Sequence, residues 1–273
     1  MKTALIFGGS GAAGQSAISA LRQRYNKDIF IWGTTSKEIP VVGVDQTILG
    51  CDVTKEDFED KIMSQLNQQI DYFIFTPARG NLGFPVAETT EDDLKDALKF
   101  SFNPMVSLER AISPVLTISY SAYYYLPHLL DFYGSMGFVK LKQEIWTLEN
   151  PQKRKIIRAG SFYSQSVRGI SLLLQRLAKQ GKSESLAEML KEQKQGGKKF
   201  DAFFLDYVAG KENAILCGNF PGIEYRMTAP EDLSWALTEV LNGEKDPIIS
   251  IMGNWRWTED KLPDMPDFYN RVL

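Results

Sequence analysis

Thr3-Ala4-Leu5-Ile6-Phe7-Gly8-Gly9-Ser10-Gly11-Ala12-Ala13-Gly14 reads as a strand, a glycine-rich turn and the first turn of a helix. Thr3 to Phe7 form a short apolar run suited to a buried strand, and Ala12 to Arg24 carry a helical pattern. Glycines permit the tight turn and let a diphosphate come close to the backbone. The helix N-terminus adds unpartnered N–H donors and a partial positive charge. Gly8, Ser10, Gly11, Ala12, Ala13 and Gly14 are therefore candidate nucleotide-binding residues. The alternative is a loop whose glycines serve tight packing alone; the flanking strand and helix favour binding.

Outward from this turn, short β-like runs alternate with helical patterns. Strands are expected over 28–32, 46–51, 70–75, 115–120 and 155–159. Helices are expected from Thr54 to about Leu66 with Asp57 as capping partner, over 90–99, and over 133–148. Such alternation predicts an α/β, Rossmann-type, doubly wound parallel sheet in a single domain over 1–273. The alternation lapses over 161–200, which is helical by composition and is expected as a helical insertion after strand six, either a lid or a surface helical pair. It resumes with a helix over 230–241 and a strand over 247–252. The remainder, 254–273, is expected as a C-terminal tail that closes the pocket or makes an oligomer contact.

Composition narrows the chemistry. The chain has 273 residues, 44% hydrophobic and 24% charged, enough for a sizeable core. A net charge of −3 lacks the basic face a general nucleic-acid binder needs, so no nucleic-acid partner is expected. The single histidine, His128, excludes a His-rich zinc site, and two cysteines exclude a Cys-rich one, so no metal is expected. Cys51 and Cys217 read as buried small hydrophobes. Residues 111–130 carry no Asp, Glu, Lys or Arg, but their prolines, serines and tyrosines suit a buried strand and aromatic loop better than a membrane span. A soluble protein of the cytoplasm is expected, acting on a small molecule.

The end of the second strand bears on which dinucleotide is bound. An acid there would hydrogen-bond the ribose of NAD. This chain has Gly33-Thr34-Thr35-Ser36-Lys37 instead. The hydroxyls and ammonium of Thr34, Thr35, Ser36 and Lys37 suit a 2′-phosphate. NADP(H) is favoured over NAD(H).

The order of these features resembles the short-chain dehydrogenase/reductase family over about residues 3–253. The glycine loop has the G-x-x-G-x-x-G spacing of its extended or atypical branches. Asp52-Val53 resembles the pair beside the adenine, and Thr76-Pro77-Ala78 stands where the family usually has Asn-Ala-Gly. The family's Y-x-x-x-K would need lysine at 137, which is Gly137. Tyr133-Gly134-Ser135-Met136-Gly137-Phe138-Val139-Lys140 instead resembles the Y-x-x-M-x-x-x-K of enoyl-acyl-carrier-protein reductases. Ile118-Ser119-Tyr120 is similar to the strand end that carries that group's other active-site tyrosine. Ile157-Arg158-Ala159-Gly160-Ser161-Phe162-Tyr163-Ser164 is similar to its I-S-A-G-P-I-x-T segment, with Arg158, Ser161 and Ser164 as departures.

The resemblance implies Tyr133, Lys140 and Tyr120 as catalytic residues. It adds Asp52, Val53, Thr76, Pro77, Ala78, Lys140, Gly160, Phe162 and Ser164 to the cofactor site. It also implies a homo-oligomer, dimer or tetramer. On a helix, positions i and i+7 share a face about 10 Å apart along the axis, so Tyr133 and Lys140 could flank a nicotinamide ribose. Tyr133 would hydrogen-bond or protonate the substrate oxygen, with its pKa drawn down by Lys140 and the nicotinamide. The implied activity is NADPH-dependent hydride transfer to a carbonyl or an enoyl thioester. Ser119 and Ser121 compete with Tyr120 for a role near the substrate. The alternative function is a non-catalytic NADP(H)-binding redox sensor or regulatory protein of the atypical type.

Overall fold

The computed structural model describes residues 1–181 and 183–272. The chain runs β1 (Lys2–Phe7), α1 (Ala12–Tyr25), β2 (Ile29–Thr34), β3 (Gln46–Ile48), α2 (Phe58–Met63) and β4 (Tyr72–Phe75). It continues through α3 (Glu91–Ser101), α4 (Asn103–Ile112), β5 (Leu116–Ala122), α5 (Pro127–Leu130), α6 (Ser135–Glu149) and β6 (Arg154–Ala159). Three helices follow, α7 (Gln165–Lys179), α8 (Glu184–Gly196) and α9 (Phe200–Leu216), before α10 (Pro230–Leu241), β7 (Ile248–Met252) and β8 (Trp255–Glu259).

The strands form one sheet in the order β3-β2-β1-β4-β5-β6-β7-β8. The first seven run parallel, and β8 folds back antiparallel on β7. Alternation along each strand sends side chains to opposite faces. Ala4 and Ile6 of β1 meet Ala17, Ile18 and Leu21 of α1 and Leu233, Leu237 and Val240 of α10. Leu5 and Phe7 point the other way, to Met105 and Leu108 of α4 and Trp146 of α6. The expected doubly wound α/β architecture is therefore present. Strand order reverses between β1 and β4, which opens a crevice at the carboxyl ends of the strands.

Several boundaries differ from the sequence reading, each for a local reason. α2 is short because the Thr54–Asp57 cap does not form; the Asp52 carboxylate instead accepts the Thr54 N–H at 2.9 Å and makes a turn. At α3 a capping box does form, with Thr90 and Asp93 exchanging hydrogen bonds. The helix expected from Tyr133 starts at Ser135, since Gly134 has φ +49° and ψ −139°. The helical stretch expected to end at 200 continues through α9 to Leu216. The expected tail contributes β8, then a short 3-10 turn whose Tyr269 is buried and donates to the Tyr124 carbonyl at 2.9 Å. Cys51 is buried as expected, but Cys217 is exposed.

Arg158 explains its own departure from the family segment. Its side chain is fully buried in the middle of the sheet. It donates two bonds to Glu144 of α6, at 2.9 and 2.7 Å, one to Ser250 at 3.2 Å and one to Glu259 of β8. Glu144, equally buried, also accepts from Ser121 at 2.7 Å and Tyr124 at 3.0 Å. The network ties α6 and the antiparallel edge to the parallel sheet. Removing one partner strands a buried charge, at a cost of about 3–5 kcal/mol. Arg158→Met is expected to lose about that much unfolding free energy in urea, and Arg158→Met with Glu144→Gln to recover part of it. A loss within ~0.5 kcal/mol, the usual effect of a surface change, contradicts this account.

Candidate functional site

A cavity of about 530 Å³ opens over the carboxyl ends of β1, β4, β5 and β6. Its floor begins with the glycine turn. Gly8 has φ +84°, and a Cβ there would lie 2.6 Å from Thr76 Oγ1. A Cβ on Gly14 would lie 2.5 Å from the Gly8 carbonyl oxygen. These contacts let α1 sit directly against the turn. The Thr76 hydroxyl bonds the carbonyls of Phe7 at 2.9 Å and Gly8 at 3.1 Å, locking β4 to the same turn.

The first-turn amides of a helix have no carbonyl four residues earlier to accept them. No side chain caps α1, and its first turn holds no acidic residue. Gly11, Ala12 and Ala13 line the cavity, so this end of α1 presents donors and positive dipole charge to it. Ser164, also in the wall, caps α7 by accepting the Val167 N–H at 3.1 Å. Two helix N-termini therefore converge on one space.

Lys140 lies on α6 and is almost wholly buried, at 5% exposure. Its ammonium donates to the Tyr120 carbonyl at 2.6 Å and to Gln143 Oε1 at 3.0 Å. Gln143 is held in turn by donating its Nε2 to the Ser101 carbonyl at 3.0 Å. An ammonium has three protons, which leaves one beyond these two bonds for a ligand in the cavity that Lys140 lines. Burial lowers the Lys140 pKa to about 8, against the opposing pull of Glu144.

Tyr133 lines the same cavity, from the loop just ahead of α6 rather than from the helix. Desolvation raises its half-buried phenol above the ordinary value. Tyr133 therefore keeps its proton and is a donor. Tyr120 also lines the cavity; its hydroxyl has no hydrogen-bond partner among the described residues, and burial raises its pKa as well. The Ser121 hydroxyl is committed to Glu144. His128 is buried in α5, where desolvation lowers its pKa to about 4 and keeps it neutral.

The expected residues separate into three groups. Gly11, Ala12, Ala13, Thr76, Ala78, Tyr120, Tyr133, Lys140, Gly160, Phe162 and Ser164 line the cavity. Gly8 and Gly14 shape its floor by close backbone approach. Ser10, Thr34, Thr35, Ser36, Lys37, Asp52, Val53 and Pro77 lie outside the lining. Thr34 and Thr35 are buried, and their hydroxyls accept the amides of Gly8 at 3.1 Å and Lys37 at 3.2 Å; Ser36 and Lys37 are exposed at the end of β2.

Four further features escaped the sequence reading. Arg79 lines the cavity with its guanidinium 4.5 Å from the Phe100 ring centroid, and its neighbour Gly80 lies beside it. Val167, Ile170 and Leu173 of α7 with Phe204 and Val208 of α9 form an apolar wall. Leu129 and Phe132 continue that wall from α5 and the turn after it. Glu212 of α9 is a buried carboxylate in the lining. The available signal was periodicity: Phe200, Phe204, Val208 and Glu212 recur every four residues, on one buried stripe.

The helix N-terminus without an acid, the glycine cradle and the free Lys140 proton suit a dinucleotide, and the residues present fit one. Among the described residues, no helix is long and apolar enough to cross a membrane.

No protein-family model matches this sequence, and no curated protein is similar enough to match it. Solved structures do match. A short chain dehydrogenase family protein from Francisella tularensis aligns with TM-score 0.61 at 14% identity, over 92% of this chain and 97% of that one. A short-chain dehydrogenase from Streptomyces avermitilis aligns with TM-score 0.58 at 14% identity, over 92% and 89%. The Pseudomonas aeruginosa RhlG/NADP active-site complex aligns with TM-score 0.50 at 14% identity, over 65% and 80%. The chain thus has the fold of the short-chain dehydrogenases/reductases.

Proposed function

We propose that this chain is an NAD(P)H-dependent oxidoreductase that reduces a carbonyl or enoyl thioester, with NADP(H) preferred. The observation that carries the reading is the meeting of Tyr133, Lys140 and the uncapped N-terminus of α1 in one cavity. The shared fold supports it, as does the presence of NADP in the RhlG structure.

When bound, the nicotinamide coenzyme supplies a hydride. The chain's own residues supply the rest. The amides of Ala12, Ala13 and Gly14 hold the diphosphate, helped by the dipole of α1. Lys140 would donate its remaining N–H hydrogen bond to a ribose hydroxyl, and Gln143 and the Tyr120 carbonyl keep that amine from turning away. Tyr133, half-buried and with its phenol held above the ordinary pKa by desolvation, donates its hydroxyl hydrogen to the substrate oxygen as negative charge develops there. Tyr120 stands by as a second hydroxyl beside the substrate. The apolar helices α7 and α9 act as a lid that excludes water from the reacting atoms. Ser36 and Lys37, exposed at the end of β2, take the 2′-phosphate.

Four measurements test this reading. Purified protein is expected to bind NADPH and to oxidise it when given crotonyl thioester or a reactive ketone. Tyr133→Phe is expected to bind NADPH yet turn over about a hundredfold more slowly, the scale of a lost acid–base group. Full turnover in that variant, or binding without turnover by the parent, contradicts the reading. Lys37→Ala is expected to weaken NADPH more than NADH in fluorescence titration; equal loss removes the 2′-phosphate assignment. Lys140 is expected to titrate near pH 8 by NMR of 13Cε-labelled lysine. Because its folded pKa lies below the unfolded 10.5, its burial penalty is full below pH 8 and fades up to 10.5, so its contribution to stability rises with pH across that window. A midpoint near the ordinary lysine value contradicts the assignment.

A further inference from the structure

Glu212 has a role that hydride transfer leaves unexplained. It stands on the buried stripe of α9, one turn beyond Val208, and is 1% exposed. Its Oε1 accepts the Ser161 N–H at 2.9 Å, and its Oε2 accepts the Tyr225 hydroxyl at 2.8 Å. Both donors are neutral. Among the described residues Glu212 forms no ion pair. Glu144 of α6, also fully buried, has Arg158 beside it. A buried carboxylate without a cation is costly, and desolvation raises its pKa.

Glu212 is also one of the residues that line the cavity. Neither cation of the lining pairs with Glu212: Lys140 holds the Tyr120 carbonyl and Gln143, and Arg79 lies over Phe100. Apolar Phe204 and Val208 adjoin Glu212 on the same helix, so the site combines a hydrocarbon surface with one acceptor short of a positive partner. A carboxylate has about four lone-pair sites, and two are used.

We infer that Glu212 is a specificity-determining residue that binds a protonated amine at the end of an apolar substrate body. The ammonium supplies the missing charge and donates to the free lone pairs, while α7 and α9 cover the hydrocarbon part. Placing that amine on a substrate rests on the reductase reading proposed above; the cation subsite itself does not.

The test uses the full chain and three six-carbon probes, n-hexylammonium, 1-hexanol and hexanoate, titrated calorimetrically at pH 7.5 with and without NADPH. The parent protein is expected to bind hexylammonium at least about tenfold more tightly than hexanoate, the scale of a charge-assisted bond. Glu212→Gln, whose Oε1 can accept the Ser161 N–H while its Nε2 donates to the Tyr225 oxygen, is expected to lose about tenfold for hexylammonium and little for 1-hexanol. Equal or tighter binding of hexanoate, no saturable binding of hexylammonium, or an undiminished ammonium preference in the variant overturns the proposal. The parent comparison stands even where the variant does not fold. Failure of NADPH to bind strikes the reductase reading, while the titration without NADPH still decides the subsite.

Discussion

An ammonium group inside an apolar interior must be met by acceptors, and Lys140 is the point on which the site turns. The Tyr120 carbonyl and Gln143 satisfy two of its protons. This requirement couples elements that sequence leaves far apart. The Tyr120 carbonyl belongs to β5, Gln143 to α6, and the Gln143 amide reaches the end of α3 at Ser101. Ser101 then uses its hydroxyl to hold the Arg79 amide at 2.6 Å and the Arg79 carbonyl at 2.8 Å. The loop after β4 is thereby fixed to the helix that carries the lysine.

The same economy of charge organises the rest of the cavity. One end is electropositive, from the α1 N-terminus and the Lys140 ammonium. Tyr133 and Tyr120 lie in the wall with their protons retained by burial. Glu212 adds a buried carboxyl to the lining. An electropositive end and a wall of uncharged hydroxyls thus occupy different parts of one space. Beneath it, the Arg158–Glu144 pair carries its own opposite charges and needs nothing from a ligand.

The sequence made the fold readable where local chemistry and tertiary packing agree. The glycine turn and α1 are set by steric needs within a few residues, and the Thr90–Asp93 box marks α3 without outside help. What escaped depends on distant neighbours. Tyr133 leaves α6 because Gly134 adopts a positive φ against the Asn81 carbonyl, where a Cβ would sit 2.3 Å away. The raised phenol pKa follows from burial under helices that local pattern does not position. Arg158 finds partners 14 and 101 residues away, a pairing that periodicity does not encode. Glu212 was discoverable as a carboxylate on an apolar stripe, but only once α9 is recognised as continuing past Phe200.

The most direct measurement is a crystal structure of the protein with NADP and a short acyl thioester. The account predicts the diphosphate against the Ala12 and Ala13 amides and a ribose hydroxyl within hydrogen-bonding distance of Lys140 Nζ, with the Tyr133 hydroxyl on the thioester oxygen. A coenzyme seated elsewhere, or one that leaves Lys140 untouched, contradicts it.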